Sequence, residues 1–255
     1  MKKITVYYHA YLDDHFLWSN ILLEHFKAME DSGLMPHISR MRFSVTTQND
    51  DRVRMFYDLC ETYKAPIEME FIQNQYPNDI EMMKDLGRIH ENVSKNPDEG
   101  YTHLKMWNDC QTEDQIVLYL HSKGIMSIVN NLMVPGRASK YRNRFYWRHF
   151  MNNVINDWEL CIDALNTNDI AGVDYQTEPS PHFRGNFFWT KSDHVRRLPK
   201  PTDLRWYDDL KRKVNNPWLN SVCDRFATEL WVGSLPETKY FNVRFNNGDF
   251  IDNDI

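Results

Sequence analysis

Ile116 to Leu120 is apolar without a break, preceded by Gln115 and followed by His121, Ser122, Lys123 and Gly124. A continuous run bounded by turn chemistry predicts a strand buried on both faces, as in the middle of a parallel sheet. Upstream, Ile4 to Leu12 is β-branched and aromatic and ends in Asp13 and Asp14, a helix-start signal. Trp18, Leu22, Phe26 and Met29 then recur at helical spacing, with Gly33 as the stop. Arg42 to Thr46 predicts a second strand, and Asp50 and Asp51 open a helix with the stripe Val53, Tyr57, Cys60 and Tyr63. Pro66 closes it, and Ile67 to Phe71 alternates as a strand with one face less covered.

Strand, helix, strand, helix, strand is the opening of a parallel, doubly wound sheet. Helical patterns follow over 79–90 and 101–110, separated by Asn96 and Pro97, and lead into the strand at 115. The aperiodic stretch 124–138, with Asn130, Asn131, Pro135 and Gly136, predicts a loop over the sheet edge. Met151, Val154, Trp158, Cys161 and Leu165 form a helical stripe, and 169–175 a short strand ending on Asp174. The last third changes character. Residues 182–189 are strand-like and aromatic, 190–199 predict a short helix closed by Pro199, 225–231 a helix and 240–245 a strand.

With 255 residues, 42% apolar and 14% aromatic, the chain can build one large core. The reading is a single unit over 1–255, with a first half to about 124, a second half over 125–237 and a tail over 238–255. A net charge of -6 argues against a nucleic-acid binder, although local basic clusters can still hold a small anion. Cys60, Cys110, Cys161 and Cys223 lie far apart with no metal or disulfide spacing, which predicts buried thiols in a reducing compartment. The N-terminal run is read as the first strand rather than a signal segment. No stretch approaches the roughly 20 apolar residues of a transmembrane span, and a cytoplasmic protein is expected.

The common phosphate-cradling loops, GxGxxG and GxxxxGK[ST], are absent, as are GxSxG and HExxH. Open α/β sheets bind ligands at the carboxyl ends of their strands, so His121, Ser122 and Lys123 stand where chemistry is expected. The other polar groups to account for are Arg142, Arg144, Asp174, His182, Arg184, Asn186 and Glu229.

The order of parts resembles glycosyltransferases of the GT-A fold. Those enzymes have a mostly parallel, Rossmann-like central sheet flanked by helices, with an acceptor-side lobe in the C-terminal third. The segments Tyr119-Leu120-His121-Ser122-Lys123-Gly124, 182–189 with Leu198-Pro199 after it, and Thr228-Glu229-Leu230-Trp231 are similar to a group of small glycosyltransferases found in bacteria and in large DNA viruses, including those of algae. For a viral member the expected location becomes the host cytoplasm.

The resemblance implies transfer of a sugar from a nucleotide-diphosphate sugar, a UDP-sugar first, to a glycan or glycoprotein acceptor. GT-A enzymes end the central strand with Asp-x-Asp, which holds Mn2+ or Mg2+ against the diphosphate. Here that place reads His121, Ser122, Lys123, so metal dependence is open, with His121 and Asp174 as the ligands to consider.

By the same resemblance, Lys123 with Arg142 or Arg144 would neutralise the leaving diphosphate. Glu229 would be the base, with Asp174 as the other choice. Tyr7, His9 and Tyr11 would meet the nucleotide base. His182, Arg184, Gly185, Asn186, Phe187 and Trp189 would form the acceptor side, the aromatic rings serving as a platform for a sugar face. Two alternatives stand beside it. A sugar-phosphate nucleotidyltransferase wants a Gly-rich basic loop after the first strand, which 8–14 does not supply. A non-catalytic carbohydrate- or nucleotide-binding protein would explain the missing Asp-x-Asp.

Overall fold

The structure is a computed structural model that describes residues 3–12, 17–46, 50–63, 68–73, 99–122, 153–183, 185–214 and 225–243. Its frame is a seven-stranded sheet built from β1 (Lys3–Tyr11), β2 (Ile38–Thr46), β3 (Glu68–Gln73), β4 (Gln115–His121), β5 (Ile170–Gly172), β8 (Phe188–Lys191) and β9 (Tyr240–Asn242). The order across it is β3-β2-β1-β4-β8-β5-β9. The first four strands are mutually parallel, and β5 and β9 are parallel to each other. Strand β8 runs antiparallel between β4 and β5. A separate two-stranded ribbon pairs β6 (Tyr175–Gln176) with β7 (His182–Phe183).

Helices cover both faces, which is why the central strands are apolar throughout. Every residue of β4 is buried. On one face Val6, Tyr8, Phe43, Leu118 and Trp189 pack against α1 (Leu17–Asp31), α2 (Asp50–Thr62) and α4 (Trp158–Ala164). On the other, Tyr7, Val117, Tyr119 and Phe188 pack against α3 (Gly100–Thr112), α5 (Ser192–Arg197) and the 3-10 turn Trp231–Gly233. Tyr207 on α6 (Arg205–Val214) joins Ala227 and Leu230 on α7 (Arg225–Leu230) in a smaller cluster. Together these make an α/β molecule with a mostly parallel sheet between helical layers.

Three expectations change in detail. The buried stripe of α2 is Val53, Phe56 and Cys60, because Tyr57 is rotated to a half-buried position. Residues 182–189 are not one strand: Gly185 (φ +90°) and Asn186 (φ +57°) turn the chain between β7 and β8. Left-handed backbone cannot continue a ladder, and glycine and asparagine tolerate it best. The strand expected over 240–245 is Tyr240–Asn242. The helix expected at 79–90, the loop at 124–138 and the arginine-rich run from 141 lie outside the described residues.

Candidate functional site

The chain runs outward from β1 through β2 to β3 and then returns across the sheet to β4, so strand order reverses between β1 and β4. In open α/β sheets the carboxyl edge at such a reversal is where ligands bind. His9 of β1 stands in register with His121 of β4, followed by Tyr11 and Ser122. The backbone N–H of Ser122 donates to His9 O at 2.9 Å, and Tyr11 N–H donates to Ser122 Oγ at 2.7 Å. Nδ1 of His9 lies 3.2 Å from Thr102 Oγ1 on α3. The two strand tips are thus tied together by their own polar groups.

A third segment reaches the same place. Because β8 runs antiparallel beside β4, the turn before it, Gly185 to Phe187, comes back to the tip of β4. His121 Nε2 sits 2.6 Å from Gly185 O, and the Phe187 ring stacks on the imidazole at 4.5 Å. Glu99 stands at the N-cap of α3 and is buried. Its Oε2 accepts from Tyr119 Oη at 3.0 Å and from Asn186 Nδ2 at 2.7 Å, and its Oε1 lies 3.5 Å from His121 Nδ1. A buried carboxylate demands such partners. Sequence reasoning missed Glu99, whose one signal is an acid placed directly before a helical pattern, where a helix start favours negative charge.

The expected site residues therefore divide. His9, Tyr11, His121, Ser122, Gly185, Asn186 and Phe187 come together at the β1/β4 edge. His121 and Ser122 were expected to face a diphosphate; they are 2% and 5% exposed and engage protein atoms instead. Tyr7 and Trp189 are corrections. Tyr7 is fully buried, donates to Asp109 Oδ2 at 2.8 Å and accepts from Gln115 Nε2 at 2.8 Å, so no face of it meets a nucleotide. Burial first, then the Asp109 charge, raises its hydroxyl pKa well above the ordinary value. Trp189 is equally enclosed, its indole N–H bound to Val154 O at 2.9 Å, so it is core and not a sugar platform. Phe187 is 3% exposed, and the face it has is spent on His121.

The remaining candidates sit one element further out. Asp174 follows β5 in a left-handed conformation (φ +57°), with Oδ1 accepting from Gln176 Nε2 at 2.6 Å. His182, on β7, lies with Nδ1 2.7 Å from Ser180 O. Glu229 is half-buried on α7, which packs beside β7. Lys123, Arg142, Arg144 and Arg184 lie outside the described residues.

His121 and Asp174 are the two residues expected as metal ligands. Among the described residues no three His, Cys, Asp or Glu side chains converge on one point. Both nitrogens of His121 already face protein oxygens. Among the described residues these donors do not make the octahedral, oxygen-rich set of an Mn2+ or Mg2+ site. Among the described residues the thiols of Cys60, Cys110 and Cys161 are free and buried, and burial pushes Cys60 and Cys161 up to about 12; Cys223 lies outside the described residues. Among the described residues no helix is long and apolar enough to cross a membrane.

An α/β sheet with a strand-order reversal and a polar cluster at its carboxyl edge defines a fold class and no function. A family model described as a domain of unknown function (DUF8361) matches residues 38–243, and the chain belongs to that family. No curated protein and no solved structure matches the chain.

Proposed function

We propose that the protein is a glycosyltransferase of GT-A type that moves a sugar from a nucleotide-diphosphate donor to a hydroxyl acceptor. The observation that carries this reading is the meeting, at one sheet edge, of the β1 and β4 tips with the Gly185 to Phe187 turn of the aromatic strand. The β4 tip and that turn belong to two of the segments in which the sequence resembles that class. The antiparallel insertion of β8 beside β4 is what joins the parallel half to the later one.

In this reading the donor lies across the β1/β4 edge beside Tyr11, and Lys123 with Arg142 or Arg144 meets the diphosphate. A carboxylate, Glu229 before Asp174, takes the proton from the acceptor hydroxyl. The acceptor oxygen then bonds to the anomeric carbon, and the diphosphate leaves with the electron pair of the broken bond.

The experiment is donor turnover by the full chain, read as nucleoside diphosphate release. It should fall at least about 100-fold in Glu229→Gln, the scale of general-base loss. It should also fall in Lys123→Ala. Unchanged turnover in both variants removes these residues from the reaction. A second reading, a non-catalytic carbohydrate- or nucleotide-binding protein, is favoured by the internal engagement of His121 and Ser122. Binding of a nucleotide sugar without any turnover selects it.

A further inference from the structure

We propose that His194 is the pin of an acid-opened latch: as a neutral Nε2–H imidazole it ties the turn at Val232 to the Arg197–Asp169 pair, and protonation at Nδ1 releases the chain from Val232 to β9. The inference is independent of sugar transfer.

The tautomer follows from what each neighbour can give. Nε2 of this buried ring lies 2.8 Å from Val232 O, which can only accept, so Nε2 carries a proton. Nδ1 lies 3.1 Å from Nη2 of Arg197, which can only donate, so Nδ1 carries a lone pair. Both contacts have hydrogen-bond length, and together they select one neutral form. An imidazolium would set its Nδ1–H against the guanidinium N–H.

Arg197 passes the connection on. The same Nη2 donates to Asp169 Oδ1 at 2.6 Å, and Nη1 lies 3.6 Å from Glu237 Oε1. Asp169 Oδ2 accepts from the backbone N–H of Lys239, the residue before β9, at 2.9 Å. Val232, Glu237 and Lys239 thus hold one stretch of chain to α5 and to the start of β5. That stretch begins in the 3-10 turn that follows directly on α7.

Protonation undoes the arrangement, because Nδ1 changes from acceptor to donor. The carboxylate it turns to is Asp169, whose Oδ1 is 3.7 Å away and already held by Arg197. Imidazolium and guanidinium then compete for one oxygen, where burial leaves their repulsion poorly screened.

The groups that act on the ring are Asp169 before β5, Arg197 on α5 and Glu237 before β9. On α5, Asp193 and Arg196 pair with each other. On α3, Asp109 pairs with Lys105 and Arg42, and His103 stacks on Trp231. Lys191 at the end of β8 donates to Leu165 O, and β4 meets α5 at Gln115, away from Tyr119 and His121. Tyr240 on β9 has its hydroxyl 3.2 Å from Gly233 O. Burial first, then the Arg197 charge, holds His194 below its ordinary 6.5, against the pull of Val232 O and the two carboxylates. The closed latch refuses a proton that the open chain takes, so it is secure above pH 6.5 and weakens as pH falls below that value.

The test is nitrogen NMR of the full chain with labelled histidine, joined to amide exchange. At about pH 7 His194 should show the widely split pair of a neutral ring with Nε2 protonated. An imidazolium pattern or the Nδ1–H tautomer overturns the inference. From about pH 7 to about pH 5, amide protection over 232–243 should fall about tenfold after correction for intrinsic exchange. His194→Gln keeps a donor for Val232 O without a titrating ring, and should abolish that pH dependence; its persistence there overturns the inference. It should persist in His25→Phe, since α1 covers the opposite face of the sheet; its loss there assigns it to His25 and overturns the inference too. Should His194→Gln fail to fold, wild type decides: protection over 232–243 that falls no more than at the centre of β4 overturns the latch.

Discussion

The side-chain amide of Asn186 donates to the Glu99 carboxylate at 2.7 Å, joining two residues 87 positions apart in the chain. One is the N-cap of α3 and the other the left-handed corner before β8. Replacing Asn186 with Asp keeps the shape but sets a like charge against Glu99. Asn186→Asp should lower the unfolding midpoint more than Asn186→Ala, and raising salt should not erase the difference, because buried charges are poorly screened. Thermal unfolding at two ionic strengths checks this.

Gly185 precedes that corner with φ +90°. A Cβ there carries the left-handed penalty, so Gly185→Ala should cost about 1–2 kcal/mol in urea unfolding. Gly172 makes a different demand: a Cβ would lie 2.7 Å from Cγ of Phe183. Gly172→Ala should cost about 1–3 kcal/mol by overpacking, and Phe183→Leu in the same chain should recover part of it.

Tyr7 separates core from site. Its hydroxyl lies in a buried network in which Thr5 Oγ1 donates to Gln115 Oε1 at 2.5 Å, and Arg42 and Lys105 pair with Asp109 at 3.1 and 2.9 Å. Tyr7→Phe should destabilise by about 1–2 kcal/mol and leave nucleotide-sugar affinity unchanged. A weakened affinity with unchanged stability would return Tyr7 to the donor site.

His25 sets an acid limb. It is buried against the Tyr8 ring at 5.3 Å, and burial lowers it from 6.5 to about 3. The folded state therefore resists protonation that the unfolded chain accepts. Stability from this source is complete above pH 6.5 and declines as pH falls from there toward 3. The loss is on the order of a few kcal/mol. Urea unfolding across that range should show a shallower decline in His25→Phe than in wild type.

The sheet was legible because its signal is local. Ile116 to Leu120 has no polar interruption, and an unbroken apolar run has few places to go other than a strand covered on both faces. Phe56 escaped notice because Tyr57, one position on, satisfies the same period, and only packing against Phe43 and Trp18 decides between them. The site was less legible because its contacts are not local. Gly185-Asn186 is a turn signal masked by the aromatic run around it, and nothing in 182–189 announces that the turn reaches His121 and Glu99. Tyr7 and Trp189 read as ligand aromatics because composition does not tell a ring that faces a crevice from one that fills a core. His121 and Ser122 were placed at the right edge, but their polar atoms turned inward toward protein partners that sequence does not display.

The central claim is that the β1/β4 edge receives a nucleotide-diphosphate sugar. Titration calorimetry of the full chain against UDP-, GDP- and dTDP-sugars, with and without Mn2+, tests it most directly. The account predicts saturable binding of at least one donor that is weakened in Lys123→Ala. Absence of binding by every donor under both conditions would contradict it.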